Sequence, residues 1–294
     1  MTMTPAYQAI PEFLEQAKYQ NPTDKAPFNL AYKTDLPVFK WREQNPKNAK
    51  VGQAFMAAQR MGQSSVWDSR FPMDDFHLSE ADKSSDRVLF CDVGGGLGHL
   101  CLEIKKFNPD LSGRFVTQDL PMVHNMIGNA DELKNSGVET MHHDFMTEQP
   151  IKGAKVYHLR NVIHNWADKP SKVILKSVQE AMAPDSICII DDVVMPKVGA
   201  SWKQTSMDIA MMTMLAALER TEPHFQNLLA EVGLKIRNIF TYDEEYGDSL
   251  IVAVRTDAPS ELLQVSGSSA VNGGGVKRAS AEVEEPEAGR ARKR

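Results

Sequence analysis

The residues of this chain best suited to move a proton lie in His158-Leu-Arg-Asn-Val-Ile-His-Asn-Trp-Ala-Asp168, which follows an apolar run and leads into a helical pattern near Pro170. An imidazole titrates near ~6.5, so at neutral pH His164 can take the proton of a phenol of pKa about 10 as the oxygen attacks an electrophile. Two later acids could orient it: Asp192 at the end of an apolar strand, and Glu219 at the end of a methionine-rich helix. A carboxylate on one ring nitrogen fixes the tautomer and stabilises the imidazolium. Taken alone, a histidine beside Trp166 is more often a packed structural residue, so the rest of the sequence must decide.

A second constellation does so. Residues 92–98 read Asp-Val-Gly-Gly-Gly-Leu-Gly directly after Val88-Leu-Phe-Cys91. The spacing is Asp92-x-Gly94-x-Gly96-x-Gly98, with Gly95 inside it, whereas a dinucleotide fingerprint would demand glycine where His99 sits. Nicotinamide is therefore disfavoured and S-adenosylmethionine indicated. Alternate glycines let the backbone turn with positive φ and approach a ligand, and Asp92 at the strand end can accept hydrogen bonds from ligand or loop. A glycine-rich turn without a ligand is the alternative for an isolated motif.

Two further acids reduce that alternative. Asp119 closes Phe115-Val-Thr-Gln-Asp119 about 20 residues after the loop, where nucleoside-binding folds place the acid that pairs with ribose hydroxyls. Leu120-Pro121 stops the strand there and leaves the carboxylate at the carboxyl edge of the sheet, although a helix-capping role would also fit. In His142-His-Asp-Phe145, Asp144 could accept from an adenine amino group while Phe145 flanks the ring. The adjacent histidines do not make a metal site, because neighbouring side chains diverge and no cysteine or second histidine stands at zinc spacing.

The elements that must position these groups alternate. The patterning predicts strands at 88–93, 114–118, 138–142, 155–159 and 186–193, with helices at 97–107, 121–135 and 170–182 between them. This is an α/β chain with a mostly parallel sheet and helices on both faces. A helix over 204–218 carries Met207, Met211, Met212 and Met214, a stripe that is either core or pocket wall. After a helix over 222–231, runs at 234–241 and 248–255 should pair as an antiparallel hairpin, completing seven strands. Residues 1–80 form an irregular, partly helical lead-in with a helix over 47–60, and 81–86 form a polar linker into a catalytic unit of 81–256. Residues 257–294 have too few apolar side chains to order the chain and read as a disordered tail; its basic clusters could be a nuclear address or simply a solvated charged end.

Composition narrows the function. With 33 basic and 39 acidic residues, the net charge of −6 lacks the basic footprint of a nucleic-acid binder. No 18-residue apolar stretch suits a membrane, and the N-terminus does not read as a secretion signal. Cys91, Cys101 and Cys188 look unpaired, which suggests a reducing compartment, and the expectation is a cytoplasmic protein handling small molecules.

In combination these motifs resemble the plant and fungal class I O-methyltransferases that act on phenolic and polyketide substrates, the fungal members most of all. The similarity runs from roughly Pro11 to Arg255 and includes Phe28-Asn-Leu-Ala-Tyr-Lys-Thr-Asp-Leu-Pro37. The resemblance implies a Rossmann-like methyltransferase fold with Gly94 and Gly95 against the cofactor, Asp119 on the ribose and Asp144 with Phe145 beside the adenine. It also implies a cofactor contact from Arg160, His164 as the proton acceptor, and Asp192 and Glu219 as its flanking carboxylates. Asn165 stands where the family has Asp, and Asp192 where plant members have Glu. Trp166, Met207 and Met211, with Met214, Phe225 and Trp202, would suit an aromatic acceptor, although each has a core alternative.

One departure is larger. The family normally begins with a helical dimerisation domain that also closes the partner's pocket, and residues 1–80 match only the segment after it. A dimer is therefore weakened as an expectation. The competing implication is a cofactor-binding homologue that does not methylate, either pericyclase-like or a partner subunit of a complete methyltransferase.

Overall fold

The central strands are buried along nearly their whole length, so the sheet is apolar on both faces, and helices cover each of them. The structure is a computed structural model and describes residues 3–45, 47–48, 51–52, 86–109, 111, 113–124, 133 and 135–263. The strands are β1 (Val88–Val93), β2 (Arg114–Asp119), β3 (Val138–His142), β4 (Val156–Arg160), β5 (Ile187–Met195), β6 (Arg220–Thr221), β7 (Leu234–Asp243) and β8 (Asp248–Arg255). They run in the order β3-β2-β1-β4-β5-β8-β7, with β6 attached to β5. The first five are parallel, while β8 is antiparallel to both β5 and β7. The sequence reading therefore holds for the seven main strands. It missed β6, whose two residues pair with Val194 and Met195 and are too short to leave a periodic signal.

Alternation divides the core. Cys91, Val93, Tyr157, Leu159, Cys188, Ile190, Ile251 and Ala253 face one way, under Ile174, Leu175 and Val178 of α7 (Asp168–Ala181) and Phe225, Leu228 and Leu229 of α9 (Glu222–Ala230). Phe90, Phe115, Val156, Ile187, Ile189, Leu250, Val252 and Val254 face the other, under Leu100, Cys101 and Ile104 of α5 (His99–Phe107). The three cysteines are buried packing residues, and burial pushes the Cys188 thiol up to about 12.

A third core ties the lead-in to this unit. Short helices α1 (Thr4–Gln8), α2 (Ile10–Gln16), α3 (Pro27–Tyr32) and α4 (Val38–Glu43) bring Ala6, Phe28 and Val38 against Met214 and Ala216. Met214 thus takes the core alternative. Its helix, α8, spans Trp202–Leu215 rather than 204–218. A capping box starts it early, with Ser201 accepting from Gln204 N, and Ala216 in the left-handed conformation at φ 54° ends it. Glu219 consequently lies beyond the helix, immediately before β6.

The first residues of the segment expected to be disordered from 257 are structured. Ser260–Leu263 forms a short helix, α10, because Ala258 and Leu262 find places on the second core face. Residues after 263, the linker over 81–85, most of the helix expected over 47–60 and the middle of that expected over 121–135 lie outside the described residues; Pro121–His124 is helical, as α6. Among the described residues no helix is long and apolar enough to cross a membrane.

Candidate active site

β1 carries the glycine loop to the carboxyl edge of the sheet, between the ends of β2 and β4, where open α/β folds bind ligands. Gly94 and Gly95 both donate to Gln118 O, at 2.9 and 3.0 Å, and Gly96 N donates to Asp119 Oδ2 at 2.8 Å. Asp119 Oδ1 accepts from Leu120 N at 2.7 Å. Burial raises this carboxyl, and the two backbone N–H groups act against that rise. Each oxygen keeps a second lone pair for a hydroxyl ligand.

Among the described residues, the underside of the loop is closed and the space above Gly96 is open. A Cβ at Gly95 would stand 2.4 Å from Asp92 Oδ2 and 2.5 Å from Thr117 Oγ1, so only glycine fits there. At Gly96, φ is 62° and a Cβ would meet nothing within 4 Å. Such a cradle suits a nucleoside-bearing cofactor. Asp92 belongs to its floor: it is buried, and Oδ1 lies 3.0 Å from His158 Nδ1.

That floor is a charged network which the sequence did not suggest. His158, fully buried on β4, stands between Asp92 and Asp191, with Nε2 3.9 Å from Asp191 Oδ2. Tyr242 on β7 donates to Asp191 Oδ1 at 2.7 Å. Arg160 makes an ion pair with Asp191 at 3.2 Å through Nε, one of its five N–H donors, so the rest of its fork is still able to meet a ligand. Asp92 and Arg160 stand out in the sequence for other reasons, and only the register of β1, β4 and β5 brings them together with His158 and Asp191.

Aromatic side chains wall the open side. Phe145 lies over Gly94, where a Cβ would come within 3.4 Å of its ring and 3.0 Å of Val162. Trp166 meets Phe145 edge to face at 6.1 Å between ring centres, and Phe39 of α4 lies 6.1 Å from Trp166 on a tilted approach. The lead-in therefore reaches this wall through Phe39, which was not among the site residues expected from the sequence. Asp144 is exposed and caps its own turn by accepting from Met146 N at 3.0 Å. Met207 and Met211 are half-buried on α8. Of the other aromatic-pocket candidates, Phe225 is core beneath β6 and Trp202 is 71% exposed, so neither joins the wall.

His164 sits in a 3-10 turn, Ile163–Asn165, between β4 and α7. Its Nδ1 lies 2.9 Å from Glu219 Oε1, as expected for an orienting acid. Asp192 is close but acts otherwise: Oδ2 accepts from the His164 backbone N at 3.0 Å. Burial pushes the Asp192 carboxyl up to about 7, with Glu219 and Asp191 adding to the rise and His164 opposing it. Asp208 of α8 accepts from Glu219 N at 2.9 Å, and burial raises its carboxyl too. Asn165 donates through Nδ2 to Asn161 O at 2.6 Å, a bond that an aspartate could not make. Asn161 itself is left-handed, at φ 52°. No cluster of metal-ligating side chains occurs among the described residues.

The chain is similar in sequence and fold to known proteins. A family model for the O-methyltransferase domain matches residues 20–235. A methyltransferase, cfoC, of Aspergillus candidus is 37% identical over 257 residues, covering 86% of this chain and 62% of that protein. Demethylsterigmatocystin 6-O-methyltransferase of Aspergillus flavus is 35% identical over 254 residues, covering 85% of this chain and 62% of that protein. The solved structure of LepI in complex with SAM superposes with a TM-score of 0.79 at 31% identity, covering 86% of this chain and 64% of that one. The chain thus spans about 62% of the length of these two curated relatives.

Proposed function

The chain belongs to the O-methyltransferase family, and on that premise we propose that it binds S-adenosylmethionine and transfers a methyl group to a hydroxyl of a small aromatic or polyketide secondary metabolite. The observation that carries this reading is the His164–Glu219 pair at 2.9 Å, on the same sheet edge as the open cradle of Gly94 to Gly96. When bound, the cofactor supplies an electrophilic methyl carbon on a sulfonium.

The chain's own residues have three tasks. The first is to hold the cofactor: Asp119 for the ribose hydroxyls, Gly94 to Gly96 for close backbone approach, Phe145 and Asp144 for the adenine, and Arg160 at the rim. The second is to orient the acceptor against Trp166 and Phe39, with Met207 and Met211 as further wall. Alignment of reactants is worth on the order of 7–11 kcal/mol, which makes it the larger contribution. The third is proton removal. With Nδ1–H directed at Glu219, the lone pair of His164 lies on Nε2, where it would accept the hydroxyl proton of the acceptor. Glu219 then stabilises the imidazolium. General-base catalysis adds about 10²- to 10⁴-fold.

A non-methylating homologue, pericyclase-like or a partner subunit, is the second reading. The oriented His164–Glu219 pair favours methyl transfer, a reaction in which the acceptor hydroxyl must lose its proton. The deciding experiment is calorimetric titration of the purified chain with S-adenosylmethionine and S-adenosylhomocysteine, followed by a screen of phenolic acceptors with His164→Ala as control. Micromolar cofactor binding and His164-dependent methylation are expected. A well-folded chain that takes up neither ligand would sink the proposal.

A further inference from the structure

Glu219 and Arg220 are consecutive, yet their side chains take hold of different parts of one short turn. Glu219 meets the imidazole of His164, whereas Arg220 goes beneath the backbone. The Arg220 side chain is 0% exposed. Nη1 donates to Ile163 O at 3.1 Å and Nη2 to Trp166 O at 2.8 Å, so the guanidinium spans the carbonyls on either side of His164 and Asn165. Nε and Nη2 also donate to Asp168 Oδ1, at 3.0 and 2.8 Å, and Nη2 to Ser171 Oγ at 3.2 Å. Asp168 is fixed in turn by His224, whose Nε2 lies 2.8 Å from Oδ2.

A buried guanidinium is costly unless its donors are met by well-aligned acceptors. Here they are met, and two of those acceptors belong to the turn that carries the proposed base. A three-residue 3-10 turn has poor internal hydrogen bonding, so its orientation depends on outside contacts: Asp192 on the His164 N–H, and Arg220 together with the Ser171 hydroxyl on the Ile163 and Trp166 carbonyls. A planar fork fixes two carbonyls at a set separation while its remaining N–H groups reach Asp168, a geometry that the compact, rotatable ammonium of lysine does not impose. We infer that Arg220 is a positioning residue: by clamping Ile163 O and Trp166 O it aims the His164 imidazole at Glu219 and at the acceptor. The inference rests on His164 being the base, but the clamp is testable without turnover.

The test uses the whole chain labelled with ¹⁵N-histidine, the His164 Nδ1–H resonance being assigned by its loss in His164→Gln. Arg220→Gln and Arg220→Lys should each broaden or abolish that resonance, while S-adenosylmethionine affinity stays within threefold of the parent. Millimolar guanidinium, but not ammonium, should restore the resonance in Arg220→Gln, a response that general destabilisation would not show. Asp168→Asn, which loosens only the outer anchor, should weaken it in a protein that keeps its fold even if the arginine variants do not. An unchanged resonance in Asp168→Asn, or no discrimination between guanidinium and ammonium in a folded Arg220→Gln, would overturn the clamp. Absence of cofactor binding in the parent would count against the proposed function alone, since the resonance reports on the clamp regardless.

Discussion

Asp192 holds His164 by its main chain and not by its ring: Oδ2 accepts the backbone N–H at 3.0 Å, while the ring nitrogen Nδ1 belongs to Glu219 at 2.9 Å. Two acids that look equivalent in the sequence therefore divide one histidine between them, and each part can be tested separately.

The first test concerns charge. In the fold Asp192 keeps its proton to about pH 7, against an ordinary value of 3.8. Between those values the native chain carries one proton more than the unfolded chain, so this group's contribution to stability falls as pH rises from about 4 to about 7 and is level above that. Asp192→Asn keeps an acceptor for the His164 N–H and removes the charge. It should melt higher than the parent at pH 8, with the difference closing towards pH 4. Thermal unfolding across that range decides, and a difference that did not vary with pH would contradict the account.

The ring's partner should act on rate. His164→Gln is expected to slow methyl transfer by about 10²- to 10⁴-fold. Glu219→Gln, which keeps a side chain of the same shape but cannot stabilise an imidazolium, should slow it by at least about tenfold. Neither should change cofactor affinity by more than about threefold, because neither residue belongs to the loop. Steady-state kinetics with an acceptor found by screening, beside calorimetry, separates the two effects.

Neighbouring glycines should respond differently to the same added methyl group. Gly95→Ala drives a Cβ to 2.4 Å from Asp92 Oδ2 and 2.5 Å from Thr117 Oγ1 and should cost about 1–3 kcal/mol of stability together with the cofactor site. Gly96→Ala meets no neighbour, but its φ of 62° costs about 1–2 kcal/mol and its methyl enters the space above the loop. Loss of affinity should therefore accompany a large fall in melting temperature at Gly95 and a smaller one at Gly96. Equal stability losses would mean that the floor yields.

Asp119 ties the glycine loop to the end of β2 and is the proposed ligand contact. Asp119→Ala removes the acceptor for Gly96 N and Leu120 N as well as the proposed ribose contact. It should weaken S-adenosylmethionine binding at least tenfold, about 1.4 kcal/mol, in a protein that remains folded. Titration with undiminished affinity would remove Asp119 from the site.

The glycine spacing, the strand-ending acids and the alternation of apolar runs determined the sheet and the edge of it that carries the glycine loop. Those features are local: a strand's period, a loop's need for positive φ and a proline stop are all written within a few residues. What tertiary structure decided is which side chains meet across the chain. The pairing of β1, β4 and β5 puts His158 between Asp92 and Asp191. Two residues of β6 carry Arg220 beneath the His164 turn, and Phe39 crosses from the lead-in to Trp166. Contacts of this kind are set by strand register and by how helices dock on the sheet, and neither leaves a periodic mark at the residues concerned. For the same reason Met214 and Phe225, apolar and correctly spaced for a pocket, became core: a buried position and a wall position call for the same side chain until the surface that packs against it is known.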